Sequence, residues 1–297
     1  MIKNLVILIM GAMALFALTA CESGKEPTES GLFGVIWSGN QFVGVGNAGI
    51  RTSPDGITWT NQTSGTTKSL LGLVWSGSQF AAVGNSGNIL TSPEGVTWTT
   101  QSSGTTSDLY SITWSGTQFV AVGDTGAIFT SPTGTQWTPQ TLGTTDNLYG
   151  IAWSGTQFVT AGLNGTIFTS PDGVTWTIQS SGIGDSLGGI IWAATQFVAV
   201  GNTGVLLTSP DGITWTAQTT GVENNLSGIA WSGAQFVVVG DTGTILTSPD
   251  AITWTPRASG TSNSLFGVAW SGTQFVAVGW GNDILTSQDG ITWTRRL

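Results

Sequence analysis

Short runs of β-branched and aromatic residues alternate with clusters of glycine, serine, proline and aspartate from residue 32 to the end of the sequence. Between Leu226 and Pro256 four runs follow one another: Leu226 to Trp231, Gln235 to Gly240, Thr244 to Ser248 and Ile252 to Pro256. Runs of this length bounded by turn residues predict β-strands, and four in succession predict an antiparallel meander. The runs are apolar at consecutive rather than alternate positions, as in QFVVVG (Gln235 to Gly240) and LLGLVW (Leu70 to Trp75). A small antiparallel sheet apolar on both faces has to sit between two others.

The unit recurs seven times. Its first tryptophans are Trp37, Trp75, Trp114, Trp153, Trp192, Trp231 and Trp270, spaced 38 residues once and 39 thereafter, and a second tryptophan follows in each copy from Trp59 to Trp293. Fourteen of the 15 tryptophans belong to this pattern, and only Trp280 stands outside it. A fixed period in this range marks a repeat architecture. Seven sheets that each need two neighbours close into a ring, so the predicted fold is all-β, a seven-bladed β-propeller of four-stranded antiparallel blades. An open β-solenoid or a different blade count are the competing arrangements. The first copy opens with its first strand and the last closes with its fourth, predicted over Ile291 to Thr294. No strand is left to be shared across the seam, which is expected to be the weak point of the ring.

The turns carry their own chemistry. In Ser209, Pro210, Asp211, Gly212 the proline presets φ, the aspartate side chain caps the turn and the glycine takes a left-handed position. GDTG at Gly123 to Gly126 and Gly240 to Gly243 serves the turn between the second and third strands. Some copies lose one element: Glu94 and Thr133 replace the aspartate, Ala251 the glycine and Gln288 the proline.

Residues 1 to 20 do not share the pattern. Lys3 precedes an apolar run from Leu5 to Leu18, too short for a comfortable transmembrane helix. Leu18, Thr19, Ala20, Cys21 resembles the lipobox of bacterial lipoprotein signal peptides. That resemblance implies cleavage before Cys21, lipidation of Cys21 and anchoring in the cell envelope, at the outer membrane or cell surface rather than the inner membrane. An ordinary secretory signal with a stray cysteine and an uncleaved anchor are the alternatives. Residues 21 to 30, with the polar ESGKEPTES, read as a flexible tether, and residues 31 to 297 as one domain. Cys21 is the only cysteine, so disulfides are not expected to stabilise it.

Charged residues are 8% of the chain, net charge is −9 and the pI is about 4.1. Without a basic patch, nucleic acid and anionic lipid lose their main source of affinity, so contact with a membrane is expected through the lipid alone. The propeller is expected to be a monomer.

The motif SPDGITWT at Ser53 to Thr60, repeated as SPDGVTWT at Ser170 to Thr177 and as SPDGITWT at Ser209 to Thr216, resembles the Asp-box (BNR-like) repeat of sialidase-type propellers, with aspartate and glycine one residue closer than usual. The resemblance implies fold and places these turns at the outer rim with a structural role. Together with the lipobox, the chain is similar to the propeller lipoproteins that assist photosystem II assembly. The arginine-bearing patch of that family has no counterpart here. Sialidase chemistry needs an arginine triad from inner strands, and Arg51, Arg257, Arg295 and Arg296 lie in none of the first strands. Histidine is absent, which removes histidine triads and histidine-ligated metals. Paired carboxylates acting on a glycosidic bond remain chemically possible, although related xyloglucanases use two propellers flanking a cleft.

The predicted function is therefore non-enzymatic: a scaffold or assembly factor for a protein partner, with a lectin-like glycan-binding module as the alternative and a glycoside hydrolase as the third. No catalytic residue, cofactor or metal ligand is assigned; Ca²⁺ held by acidic loops is the one ion considered. Copies differ most on the face formed by the inter-blade linkers and the turns between second and third strands. That face should carry Asp108, Asp146, Asp185 and Glu223 from linkers, and Asp124, Asp241 and Asp283 from turns. Trp280 replaces the Asn or Asp of most other copies, and with Asp283 marks a contact for a sugar ring or partner, or else covers the seam. Tyr110 and Tyr149 hold one position in adjacent copies, where the others have Phe33, Leu71, Gly188, Ser227 and Phe266. This is either packing or a paired hydroxyl site at the channel mouth. Arg51 stands where other copies have leucine or phenylalanine, and needs a partner or an exit to water.

Overall fold

In a computed structural model, residues 30–296 are described. The expected signal segment, Cys21 and almost all of the tether lie outside the described residues. Seven four-stranded antiparallel sheets, each with its strands in chain order, form a ring. The fold is the seven-bladed propeller the repeat predicts, with strands such as Leu32–Trp37, Phe42–Gly46, Gly49–Ser53 and Thr60–Gln62 in blade 1. First strands line the axis, and fourth strands lie outermost.

The core is divided among the seven interfaces between blades. One cluster joins Val43, Val45 and Ile50 of blade 1 to Leu70, Leu73, Phe80 and Leu90 of blade 2. Its counterpart across the seam joins Leu32, Val35 and Phe42 to Ala269, Val276, Val278 and Ile284. At the heart of each blade a phenylalanine, from Phe42 to Phe275, is at most 1% exposed. Its ring lies 4.2–4.6 Å from the first tryptophan and 6.2–6.4 Å from the second. Second tryptophans also satisfy their indole N–H on the turn, as Trp59 Nε1 donates to Gly56 O at 3.0 Å.

A ring of hydrogen bonds fastens neighbouring blades. Gln79, in the turn between the first and second strands of blade 2, donates from Nε2 to Thr133 O in the SPTG turn of blade 3 at 2.7 Å. Gln41, Gln118, Gln157, Gln196 and Gln235 repeat this with Glu94, Asp172, Asp211, Asp250 and Asp289. Gln274 donates to Asp55 O and so crosses the seam. The seam carries more besides: Gly31 pairs with Trp280, Asn282 N–H donates to Ser30 O at 3.0 Å, and Arg51 Nη2 donates to Asn282 Oδ1 at 2.9 Å. Blades 1 and 7 therefore meet by face packing, as expected, but with additional links that offset the missing shared strand. Arg51 finds its partner at this seam, and burial pushes its pKa down.

The fourth strand departs from the sequence expectation. In blade 6 it spans Thr255–Arg257 and in blade 7 Thr294–Arg296, about three residues later than the apolar runs suggest. The runs belong to the turns. Asp250 Oδ1 accepts from Ile252 N–H at 2.9 Å and Thr253 N–H at 2.8 Å, which curls the backbone and leaves Ile252 58% exposed. Asp55, Asp172, Asp211 and Asp289 do the same.

Two departures from the repeat meet between blades 5 and 6. The Ser-Gly pair of the other blades is replaced by Ala193 and Ala194, and the hairpin turns on Ala194 and Thr195, both left-handed at φ 49° and 69°. Ala251 stands at φ 62°, where the other copies have glycine. In those copies a Cβ meets the ring glutamine, as at Gly212, where it would lie 3.1 Å from Gln157 Nε2. The methyl of Ala251 is in that place, and the Gln196 bond to Asp250 O is 3.3 Å against 2.5 Å for Gln157.

A left-handed pair in a two-residue hairpin is suited to Asn-Gly, and each non-glycine residue held there costs about 1–2 kcal/mol. The double substitution Ala194→Asn, Thr195→Gly should raise stability by about 1–2 kcal/mol, read as a higher melting temperature. The five turn aspartates are held below the usual carboxylate range by N–H donors three and two residues on. Their folded pKa lies below the unfolded value, so the stability they contribute is complete above about pH 4 and lost as pH falls through the folded values. Thermal melts should be flat from pH 8 to 5 and fall below about 4. Replacing all five by asparagine, which keeps the acceptor oxygen, should flatten that acid limb.

Candidate functional site: the collar at the channel mouth

Each first strand bulges at its second residue. Leu32 pairs with Gly46 and Gly34 with Val45, so Phe33 is the extra residue. The same shift singles out Leu71, Tyr110, Tyr149, Gly188, Ser227 and Phe266 in the other blades. A bulge bends the strand and re-aims the side chain it inserts. It also needs glycine opposite, because a Cβ on Gly123 would collide with Asp108 O, and its equivalents repeat the arrangement. The seven bulge residues form a collar round the mouth of the axial channel, on the face of the linkers and of the turns between second and third strands.

The collar contains two aromatic arcs. Phe33, Phe266 and Trp280 pack edge-on, with centroids 5.1–5.6 Å apart. Tyr110 and Tyr149 lie 5.3 Å apart, 4% and 3% exposed, with Leu71 and Leu163 beside them. Tyr110 donates to Asp124 Oδ1. Burial and then this carboxylate raise the Tyr110 pKa; burial raises that of Asp124 while the bond from Tyr110 opposes it.

Of the residues singled out from sequence, Trp280, Tyr110 and Tyr149 therefore converge on one mouth, and Trp280 at the same time covers the seam. Asp283 does not join them. It is 1% exposed, ion-paired with Arg295 and bonded by Thr261 and by Asn263 Nδ2 at 3.1 Å; the carboxylate is buried and ties the linker into blade 7 to that blade's outermost strand. Four other acidic residues of this face also accept bonds from the fold: Asp108 from Ser86 N–H at 2.6 Å, Asp146 from Thr166 Oγ1 at 2.6 Å, Asp185 from Thr203 Oγ1 at 3.2 Å and Asp241 from Asn225 Nδ2 at 2.9 Å. Glu223 is exposed. Among the described residues no three of these acids come together as metal ligands, so the Ca²⁺ considered from sequence has no assembled acidic cluster to hold it. Phe33 and Phe266 acquire significance only through the bulge, since in sequence they are ordinary strand residues.

No family model matches the chain, and no curated protein does. Solved structures do. A structure of YCF48 bound to D1 peptide superposes with a TM-score of 0.72 at 16% identity, covering 90% of this chain and 93% of that one. YCF48 from Cyanidioschyzon merolae gives 0.71 at 16% identity, over 89% and 97%. The WD40 β-propeller domain of Doa1 gives 0.72 at 13% identity, over 89% and 95%. At such identities the likeness is one of fold.

Removing the Tyr110 hydroxyl strips a half-buried carboxylate of its donor, a change that costs about 1–3 kcal/mol. Tyr110→Phe should be destabilised by that order at pH 7. The loss should shrink toward pH 4 as Asp124, its pKa raised further, takes up a proton. Chemical denaturation at the two pH values checks both.

Proposed function

We propose that this chain is a non-enzymatic propeller that binds a protein partner on its collar face, as a scaffold or assembly factor anchored in the bacterial cell envelope through a lipid on Cys21. The observation that carries the reading is the collar, where aromatic side chains from several blades gather at one mouth while the opposite face repeats the same turn. Aromatic groups gathered at one place are characteristic of protein-binding surfaces. That a protein of the same fold is described as bound to a peptide supports the reading. The SPDG turns, read as Asp-box turns, serve the architecture. Ser30 lies against Asn282 on the collar face, so a tether of nine residues, at most about 30 Å long, would hold that face toward the membrane and favour a membrane-associated partner.

A glycan-binding reading is favoured by a different feature, a cleft of about 560 Å³ at blade 2 lined by uncharged hydroxyl and amide residues including Ser86, Asn88, Gln101 and Ser103.

The test is capture on the full chain, tagged at its C-terminus, from detergent-solubilised envelopes, with a glycan array run on the same preparation. One protein recovered in near-stoichiometric amount, and lost on Trp280→Ala with the fold retained, is the expected result. A saturable glycan with no protein would move the function to the cleft.

A further inference from the structure

The collar is not complete. Between Tyr149 of blade 4 and Phe266 of blade 7, its two consecutive members are small: Gly188 of blade 5 and Ser227 of blade 6. Their strands lie against each other, since a Cβ on Gly189 would stand 2.5 Å from Ser227 O. At Gly188 the opposite holds. An added Cβ meets only Leu226 O, at 3.8 Å, so the backbone leaves room that the bulge residues of five other blades fill.

The notch opens on the axial cavity of about 170 Å³, which both residues line. That cavity is bounded by aliphatic side chains, glycine backbone, the rings of Phe33, Tyr110, Tyr149 and Phe266, and the two serines Ser111 and Ser227, with no charged residue. An apolar cavity of about 150 Å³ is large enough for a benzene ring. One feature is out of keeping with an apolar filling: Ser227 is 5% exposed, and its hydroxyl has no hydrogen-bond partner among the described residues. A buried polar atom in that condition carries the cost of desolvation until something bonds to it.

Charge defines what surrounds the notch. From Ser69 to Pro256 the sequence contains ten carboxylates and no lysine or arginine. Asp185 and Glu223, in the linkers into blades 5 and 6, and Asp241, in the turn of blade 6, lie on the notch's side of the face. The hydrogen bonds that Asp185 and Asp241 accept come from neutral donors, so their negative charge is uncompensated.

We propose that the Gly188–Ser227 notch is the anchor subsite of the collar face, and that it takes one aromatic side chain, tyrosine ahead of phenylalanine, from a protein segment with lysine or arginine on either side. The ring enters between Tyr149 and Phe266, its polar end reaches the Ser227 hydroxyl, and the flanking cations face Asp185, Glu223 and Asp241. Complementary charge of this kind steers association and weakens with salt. The inference rests on the protein-binding reading above and names the chemistry of its partner.

The experiment uses the full chain in detergent and the peptide Ac-Lys-Lys-Tyr-Lys-Lys-NH2, followed by saturation-transfer NMR. Saturable binding is expected, weakened at least tenfold when tyrosine is replaced by serine, when the lysines are replaced by glutamate, or in 0.5 M salt. Gly188→Phe gives blade 5 the collar residue of blades 1 and 7. It should keep or raise the melting temperature while losing the peptide at least tenfold. Ser227→Leu provides a second filling variant should the first fail to fold, and Ser227→Ala should bring the tyrosine and phenylalanine peptides to equal affinity. The inference is overturned if no aromatic peptide saturates, or if folded filling variants bind as the parent does. A captured envelope protein retained by Gly188→Phe would overturn the notch while leaving the protein-binding reading in place. Absence of both peptide and protein binding would overturn both.

Discussion

Everything in this molecule follows from sheets that are apolar on both faces. A four-stranded sheet with Phe158 and Val159 pointing to opposite sides, each at most 1% exposed, cannot exist alone in water. It needs a neighbour on each side, and the ring is the arrangement that leaves no face over. Local stability is then a property of interfaces more than of blades, and blade 1 is no more independent of blade 7 than of blade 2. The ring of glutamine bonds adds direction to this packing. Burial alone would tolerate some sliding between blades, whereas Gln79 on Thr133 O and its six counterparts fix how far each blade is advanced on the next.

The two faces of the disc have separate duties. One carries the SPDG turns and the glutamine ring, and repeats nearly unchanged because each turn supplies an acceptor to its neighbour. Its five turn aspartates are engaged with their own backbone, which lowers their pKa and leaves little for a ligand. The other face carries the bulges, the linkers and the variable turns. There the bulge directs one side chain per blade toward the axis, and substitution at that position changes the mouth while leaving the strand pairing intact.

Blades 5 and 6 depart from the repeat on both faces. On one, Ala194, Thr195 and Ala251 occupy left-handed positions suited to glycine or asparagine; on the other, Gly188 and Ser227 leave the collar open. The outer departures cost stability locally, and the packed interface between these blades, built on Val198, Val200, Phe236 and Leu246, absorbs them.

The sequence by itself determined the period, the number of blades, the four-strand unit and the division of the molecule into an invariant and a variable face. Periodicity and burial on both sides are local properties that a single repeat states in full. It also brought Trp280, Tyr110 and Tyr149 forward as exceptions to the pattern. It misplaced the fourth strands, because Ile252 and Trp254 look like strand residues until the Asp250 side chain is seen to take their backbone into a turn. Asp283 could not be read as internal, since its ion pair with Arg295 depends on the strand register in blade 7. The sequence aligned the seven collar positions, but the bulge that turns them to the mouth and the notch between two of them were decided by the tertiary structure. A bulge is a shift in pairing between two strands, and a gap between Tyr149 and Phe266 exists only once four blades stand side by side around an axis.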